Sequence, residues 1–170
     1  MKNTEIDWKN LDEPKATFIF EQAKDYLEKT LYASDQLDNK AFILLGFSVT
    51  FLTGTIGYIL TQGASIGGLV WPLLAYALSL FVACLFLKSA IQPKKYHGTG
   101  NLPDAFLNTY ILEQDCKYII AGEAQNYANR CNDNTATNAG KRKKIDRALF
   151  ILVFSPFIIL IVCLAFVFCY

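Results

Sequence analysis

The sequence predicts an all-α integral membrane protein with three transmembrane helices and cytoplasmic helical extensions. Two observations predict it. Three blocks, residues 41–60, 66–87 and 148–170, contain no Asp, Glu, Lys, Arg or His, and each is long enough for a helix to cross a hydrocarbon core of about 30 Å. All 16 Lys and Arg residues lie outside the blocks, in 1–40 or 88–147. Lipid offers no water to a backbone amide, so each block has to be a closed helix. The composition agrees, with 53% apolar and 18% charged residues against about 45–50% and about 25% in soluble domains. The first block starts 40 residues in, behind an acidic helix-patterned segment. That is unlike a signal peptide, which has a short basic start and a shorter apolar core.

Each element follows from local chemistry. Residues 1–13 are polar, and Pro14 suits the first turn of a helix. From there Ile19, Ala23, Tyr26, Thr30, Ala33 and Leu37 recur at heptad spacing. Glu21, Lys24, Asp25, Glu28 and Lys29 occupy the outer face. The phase continues across Asp38-Asn39-Lys40 into the apolar block, so one helix is expected from about Lys15 to about Leu60. Its 1–40 part is cytoplasmic and amphipathic, and 41–60 is the first span. Residues 61–65 (TQGAS) read as a short outer turn. The second span, 66–87, opens on Gly67 and Gly68 and carries Pro72 in its first turns, where proline is tolerated.

The 91–147 segment reads as a cytoplasmic loop and helix. Pro93, Gly98, Gly100 and Pro103 make the loop. Gly98-Thr99-Gly100 lacks the third glycine and the preceding strand of a dinucleotide fingerprint. Asp104 to about Asn134 reads as a helix with Leu112, Cys116, Ile119, Ile120, Glu123 and Tyr127 along one side. Beyond Tyr127 the stripe turns polar, through Asn129, Asn132, Asp133, Asn134 and Asn138. Two readings stay open: a break over 134–140, or one continuous helix with a polar seam feeding the third span, 148–170. Gly140 is the one strong breaker there, which favours continuity.

Positively charged flanks stay cytoplasmic. This places the N-terminus and 91–147 inside, and 61–65 and the C-terminus outside. Lys141, Arg142, Lys143, Lys144 and Arg147 form a basic anchor before the third span. The anchor has no interleaved aromatics for stacking on bases, so no nucleic-acid partner is expected. The five cysteines contain no CxxC, and His97 has no ligand partner at metal spacing. Neither metal, cofactor nor catalytic motif is evident, and the chain is not expected to be an enzyme. The spans carry no ionisable group, which argues against a pump or coupled transporter.

The informative face in lipid is Gly46, Thr50 and Gly54 at four-residue steps, with Thr53 and Gly57 beside them. Ala75, Ser79 and Ala83 repeat the spacing on the second span. Small residues let backbones approach closely, so spans one and two are expected to meet through these faces, with span three toward the lipid and kinked near Pro156. The same face has a second reading, as an oligomer contact or a pore lining. Asp38 and Lys40 mark where the first helix leaves water. Lys40 can snorkel to headgroups, and Asp38 is expected to pair with Lys144 or Arg147. An ordinary interfacial pair and a switch both remain open.

The Asp38-Asn39-Lys40-Ala41 sequence opening the first span resembles the start of small bacterial membrane effectors of antiphage systems: the Pycsar-type effector domain and the related two-helix SLATT effectors. Pro93 sits where that family places a proline. The segment from Tyr110 through Asn126 to Lys143, Lys144 and Arg147 resembles its cytoplasmic helix. The likeness covers about 35–170. It implies an oligomeric effector, silent until signalled, that then forms a pore or otherwise damages the inner membrane. Residues 1–40 are too short and helical for a cyclic-nucleotide-binding domain, so the trigger would be a cytoplasmic partner protein, an interfacial site between subunits, or the bilayer itself. The alternative is a non-catalytic sensor or scaffold subunit that recruits a cytoplasmic partner.

Overall fold

The computed structural model describes residues 10–101, 107 and 109–169. The elements are α1 (Glu13–Ile66), a 3-10 turn (Gly67–Leu69), α2 (Val70–Ile91), the one-turn α3 (Thr109–Leu112) and α4 (Cys116–Cys169). Three helices are long and apolar enough to cross a membrane. α1 and α4 have 54 residues each, a length of about 80 Å at the helical rise.

Asp12 starts α1. Its Oδ1 accepts the Lys15 backbone N–H at 2.9 Å, and its carbonyl accepts that of Ala16 at 3.0 Å. Pro14 then falls where a missing N–H costs nothing. The outer turn expected at 61–65 is instead helical: α1 continues to Ile66 and stops at Gly67, whose φ of +53° is a left-handed conformation suited to glycine. Gly63 stays inside the helix at a cost of about 1 kcal/mol. α2 ends at Ile91, ahead of Pro93. The helix expected from Asp104 begins at Cys116, after the separate α3; residues 102–106 and 108 lie outside the described ones. α4 passes Gly140 without a break, so the continuous reading holds.

Burial along α1 falls on Ala16, Phe20, Ala23, Leu27, Thr30, Ser34, Leu37 and Ala41. The expected stripe is right at Ala23, Thr30 and Leu37 but one residue early elsewhere. Ile19 and Tyr26 are 49% and 55% exposed, and Ala33 is exposed too, whereas Phe20, Leu27 and Ser34 turn inward. The α4 stripe is Ala124, Tyr127, Cys131, Asn134, Lys141, Ile145, Ala148 and Ser155. The series Tyr127, Asn134, Lys141, Ala148, Ser155 keeps strict seven-residue steps, the period of a coiled-coil seam.

The chain divides into two compact units, residues 1–34 with 95–137, and 35–94 with 138–170. The first is built on Leu27, Tyr127 and Cys131, with Phe20 and Ala23 packed against them. The Phe20 and Tyr127 rings are 5.2 Å apart. The core of the second is Ala41, Ala83, Leu87, Ala90, Ile145 and Ala148. Four of these are alanines, which bring α1, α2 and α4 close together in the way small residues do in lipid. Ile145 and Ala148 belong to this core, so the start of the third span packs inward. Its later residues Phe157, Ile158, Leu160 and Ile161 are exposed.

Candidate functional site

Asp38 and Lys141 meet in the second unit, brought there by the inward stripes of α1 and α4. Lys141 Nζ donates to both carboxylate oxygens, at 2.6 Å and 2.7 Å. The lysine side chain is 3% exposed and the aspartate 30%. Burying an ammonium is costly unless a carboxylate accompanies it, and Asp38 supplies that charge.

The pairing corrects the expectation of Lys144 or Arg147. Lys141 lies two heptads beyond Tyr127 and therefore faces in. Lys144 Nζ is engaged by Ser89 near the end of α2, donating to its carbonyl at 3.1 Å and its Oγ at 2.6 Å, a favourable place for a cation. The Arg147 guanidinium lies 6.0 Å from the centroid of the Phe86 ring. Arg142 and Lys143 point outward, and Arg142 Nε is 3.8 Å from the Asp146 carboxylate. Lys40 is exposed while its neighbour Ala41 is fully buried. Each residue of Asp38-Asn39-Lys40-Ala41 thus has its own surroundings: Asp38 in an ion pair, Asn39 and Lys40 on the surface, Ala41 in the core.

The small-residue face of the first span stands open. Gly46, Thr50, Thr53, Gly54 and Gly57 are all exposed, and among the described residues a Cβ added at any of the three glycines meets nothing within 4 Å. Thr50 Oγ1 donates to the Gly46 carbonyl at 3.0 Å, and Thr53 Oγ1 to the carbonyls of Val49 and Thr50, both at 3.0 Å. On α2, Ala75 is exposed and Ser79 half-buried, with its Oγ donating to the Tyr76 carbonyl at 2.7 Å. Of that trio only Ala83 is buried. The expected meeting of spans one and two through these faces is therefore corrected. The helices close through Ala41, Ala83, Ala90 and Ala148, which leaves the Gly/Thr face exposed at the rim of this packing. Thr50 and Gly54 edge an open groove of about 310 Å³, with Leu73 and Tyr76 of α2 on its lining.

The first unit holds a polar constellation that residue spacing alone did not reveal. Asn134, 1% exposed, accepts the His97 backbone N–H at 3.0 Å and donates through Nδ2 to the His97 carbonyl at 3.0 Å and Thr30 Oγ1 at 3.2 Å. Tyr127 OH accepts the Gly100 N–H at 2.6 Å. Arg130 donates to the carbonyls of Gly98 and Gly100 and to Asn101 Oδ1, and Asn101 Nδ2 donates to Glu123 at 2.8 Å. The 97–101 loop is held to α4 by four side chains of one helix. Of the asparagines flagged in the polar run, Asn134 enters the core, whereas Asn129 and Asn132 face out. The available signal was its seven-residue spacing from Tyr127.

Removing one partner of a buried ion pair costs about 3–5 kcal/mol, and less where one partner is partly exposed, as Asp38 is. Asp38→Ala is expected to lower the unfolding midpoint of the detergent-solubilised protein well below that of Glu28→Ala, a change on the exposed face of α1. Asp38→Lys lowers it further, and adding Lys141→Asp recovers part of the loss. Equal midpoints for wild type, Asp38→Ala and Asp38→Lys would refute a structural role for the pair.

A family model described as the Pycsar effector protein domain matches residues 22–169. No curated protein and no solved structure matches the chain. The match begins well before Asp38, in the amphipathic part of α1, and runs to the end of α4, taking in the ion pair, the open face and the clasped loop. This transmembrane chain, with three membrane-spanning helices, belongs to the Pycsar effector protein domain family.

Proposed function

We propose that the chain is an effector of antiphage defence that resides in the bacterial inner membrane and, once triggered, assembles with copies of itself and compromises the bilayer. The observation that carries this reading is the family match over 22–169. The open Gly46–Thr50–Gly54 face supports assembly. It is the close-packing kind of helix surface, and among the described residues nothing lies within 4 Å of a Cβ built on its glycines. The spans hold no ionisable group that would serve a coupled transporter, and the effector acts without catalysis. Its N-terminus and 91–147 segment lie in the cytoplasm and its C-terminus outside, in keeping with the placement of all Lys and Arg in 1–40 and 88–147.

One feature favours a second reading. Phe18, Tyr26 and Tyr32 on α1 are 63%, 55% and 66% exposed, large side chains that a partner protein would cover. In that reading the chain is a non-catalytic sensor or scaffold that recruits a cytoplasmic partner protein. In the effector reading the same surface receives the trigger.

Topology is tested by fusions: a reporter at Tyr170 is expected to be active only outside the cytoplasm, and one at Gly98 only inside. The reverse pattern would reject the orientation. Assembly is tested with Gly54→Leu. The added side chain has free space in the single chain and replaces a poor helix former, so the fold should keep its stability. At a helix–helix contact, overpacking costs about 1–3 kcal/mol. Expression of the wild type is expected to depolarise the membrane, as read by a potential-sensitive dye, and to give crosslinked multimers. Gly54→Leu should lose both, while Phe157→Leu on the third span changes neither. Depolarisation and crosslinks unchanged in Gly54→Leu would remove this face as the contact between subunits, and a wild type that leaves the potential intact when expressed alone would favour the scaffold or an effector whose trigger is missing.

A further inference from the structure

The five cations of the basic anchor divide into two kinds. Lys141 is committed to Asp38, and Lys144 to Ser89. Arg142, Lys143 and Arg147 are exposed, Arg147 beside the Phe86 ring of α2. With Ala139, Asp146 and Phe150 they line an open groove of about 480 Å³. Each of these positions has another three or four residues away, so together they form one broad face of the helix. Three cations share this face with one carboxylate, Asp146, and Arg142 Nε lies 3.8 Å from it.

Depth along the helix identifies the occupant. Arg147 directly precedes the apolar span, and Phe150, 63% exposed, lies about 5 Å further along the axis at the helical rise. Its ring meets that of Phe154, with centroids 4.4 Å apart. Cations are therefore stacked directly above exposed aromatic surface. That order matches a phospholipid: phosphate at the level of Arg142, Lys143 and Arg147, and acyl chain at the level of Phe150 and Phe154. Arginine guanidinium groups are suited to phosphate oxygens. A free phosphate or a soluble acidic peptide would have no use for the rings below.

We infer that Arg142, Lys143, Arg147 and Phe150 form a site for the headgroup and upper acyl chain of an anionic phospholipid, whereas Lys141 and Lys144 serve the fold. The inference rests on membrane insertion alone and is independent of the effector role. Each cation near an anionic membrane surface contributes about fivefold to binding, and Asp146 offsets part of the sum.

The test is native mass spectrometry of the full chain released from mixed micelles holding equal amounts of phosphatidylglycerol and phosphatidylcholine. The wild type is expected to retain phosphatidylglycerol over phosphatidylcholine by at least about fivefold. Arg142→Gln with Lys143→Gln and Arg147→Gln should bring the ratio near one. A charge-matched control, Lys15→Gln with Lys24→Gln and Lys29→Gln on the exposed side of α1, should keep the wild-type ratio. Equal retention of the two lipids by the wild type would overturn the inference. So would an unchanged preference in the α4 variant, or an equal loss in the control, which would mean net charge alone is responsible. Millimolar inorganic phosphate should leave the ratio unchanged; displacement of the lipid by phosphate would assign the cations to a soluble anion instead.

Discussion

A lysine ammonium in the seam of α4 sets how the second unit goes together. Lys141 has almost no access to solvent and meets the Asp38 carboxylate with both oxygens. The two residues are 103 positions apart in sequence, so their contact fixes one register between two long helices. Three residues beyond Asp38 comes Ala41; four and seven beyond Lys141 come Ile145 and Ala148. These three share one core cluster with α2. In this unit α1 and α4 therefore run in the same direction from the ion pair into the apolar core, and α2 returns between their sequences. A polar group at a seam position specifies register in parallel helix pairs, at some cost in stability, and Lys141 has that part here.

The register also decides what stays outside. Because the helices close through alanines, the glycines and threonines of the first span are left on the surface. The threonine hydroxyls are satisfied by their own helix, so this face is tolerable in lipid without a partner and still allows close approach when one arrives. Asn134 applies similar logic in the first unit, where one buried amide holds the His97 backbone and Thr30 together.

The charge-free blocks made the fold class and the three spans legible, because lipid forces helix on any such block. The glycines and prolines after Ile91 made the loop legible. The phase of α1 was less so: Ile19 and Phe20, or Tyr26 and Leu27, are neighbours of similar apolarity, and only packing against α4 selects one of each. Lys141 through Lys144 are all basic and wrap around the helix, so composition cannot say which of them faces in. Counting heptads from Tyr127 does. The four-residue spacing of Gly46, Thr50 and Gly54 is visible in the sequence, but that the face lies exposed depends on where the alanines pack, and that requires three dimensions.

Self-assembly through the open face is the central claim, and the mass of the intact protein tests it most directly. Light scattering with detergent-mass correction, or native mass spectrometry, on the full chain over a range of concentrations reads it without a mutation. Species at multiples of the 19.1 kDa chain, growing with protein-to-detergent ratio, are expected. A single 19.1 kDa species across the whole range would contradict that claim.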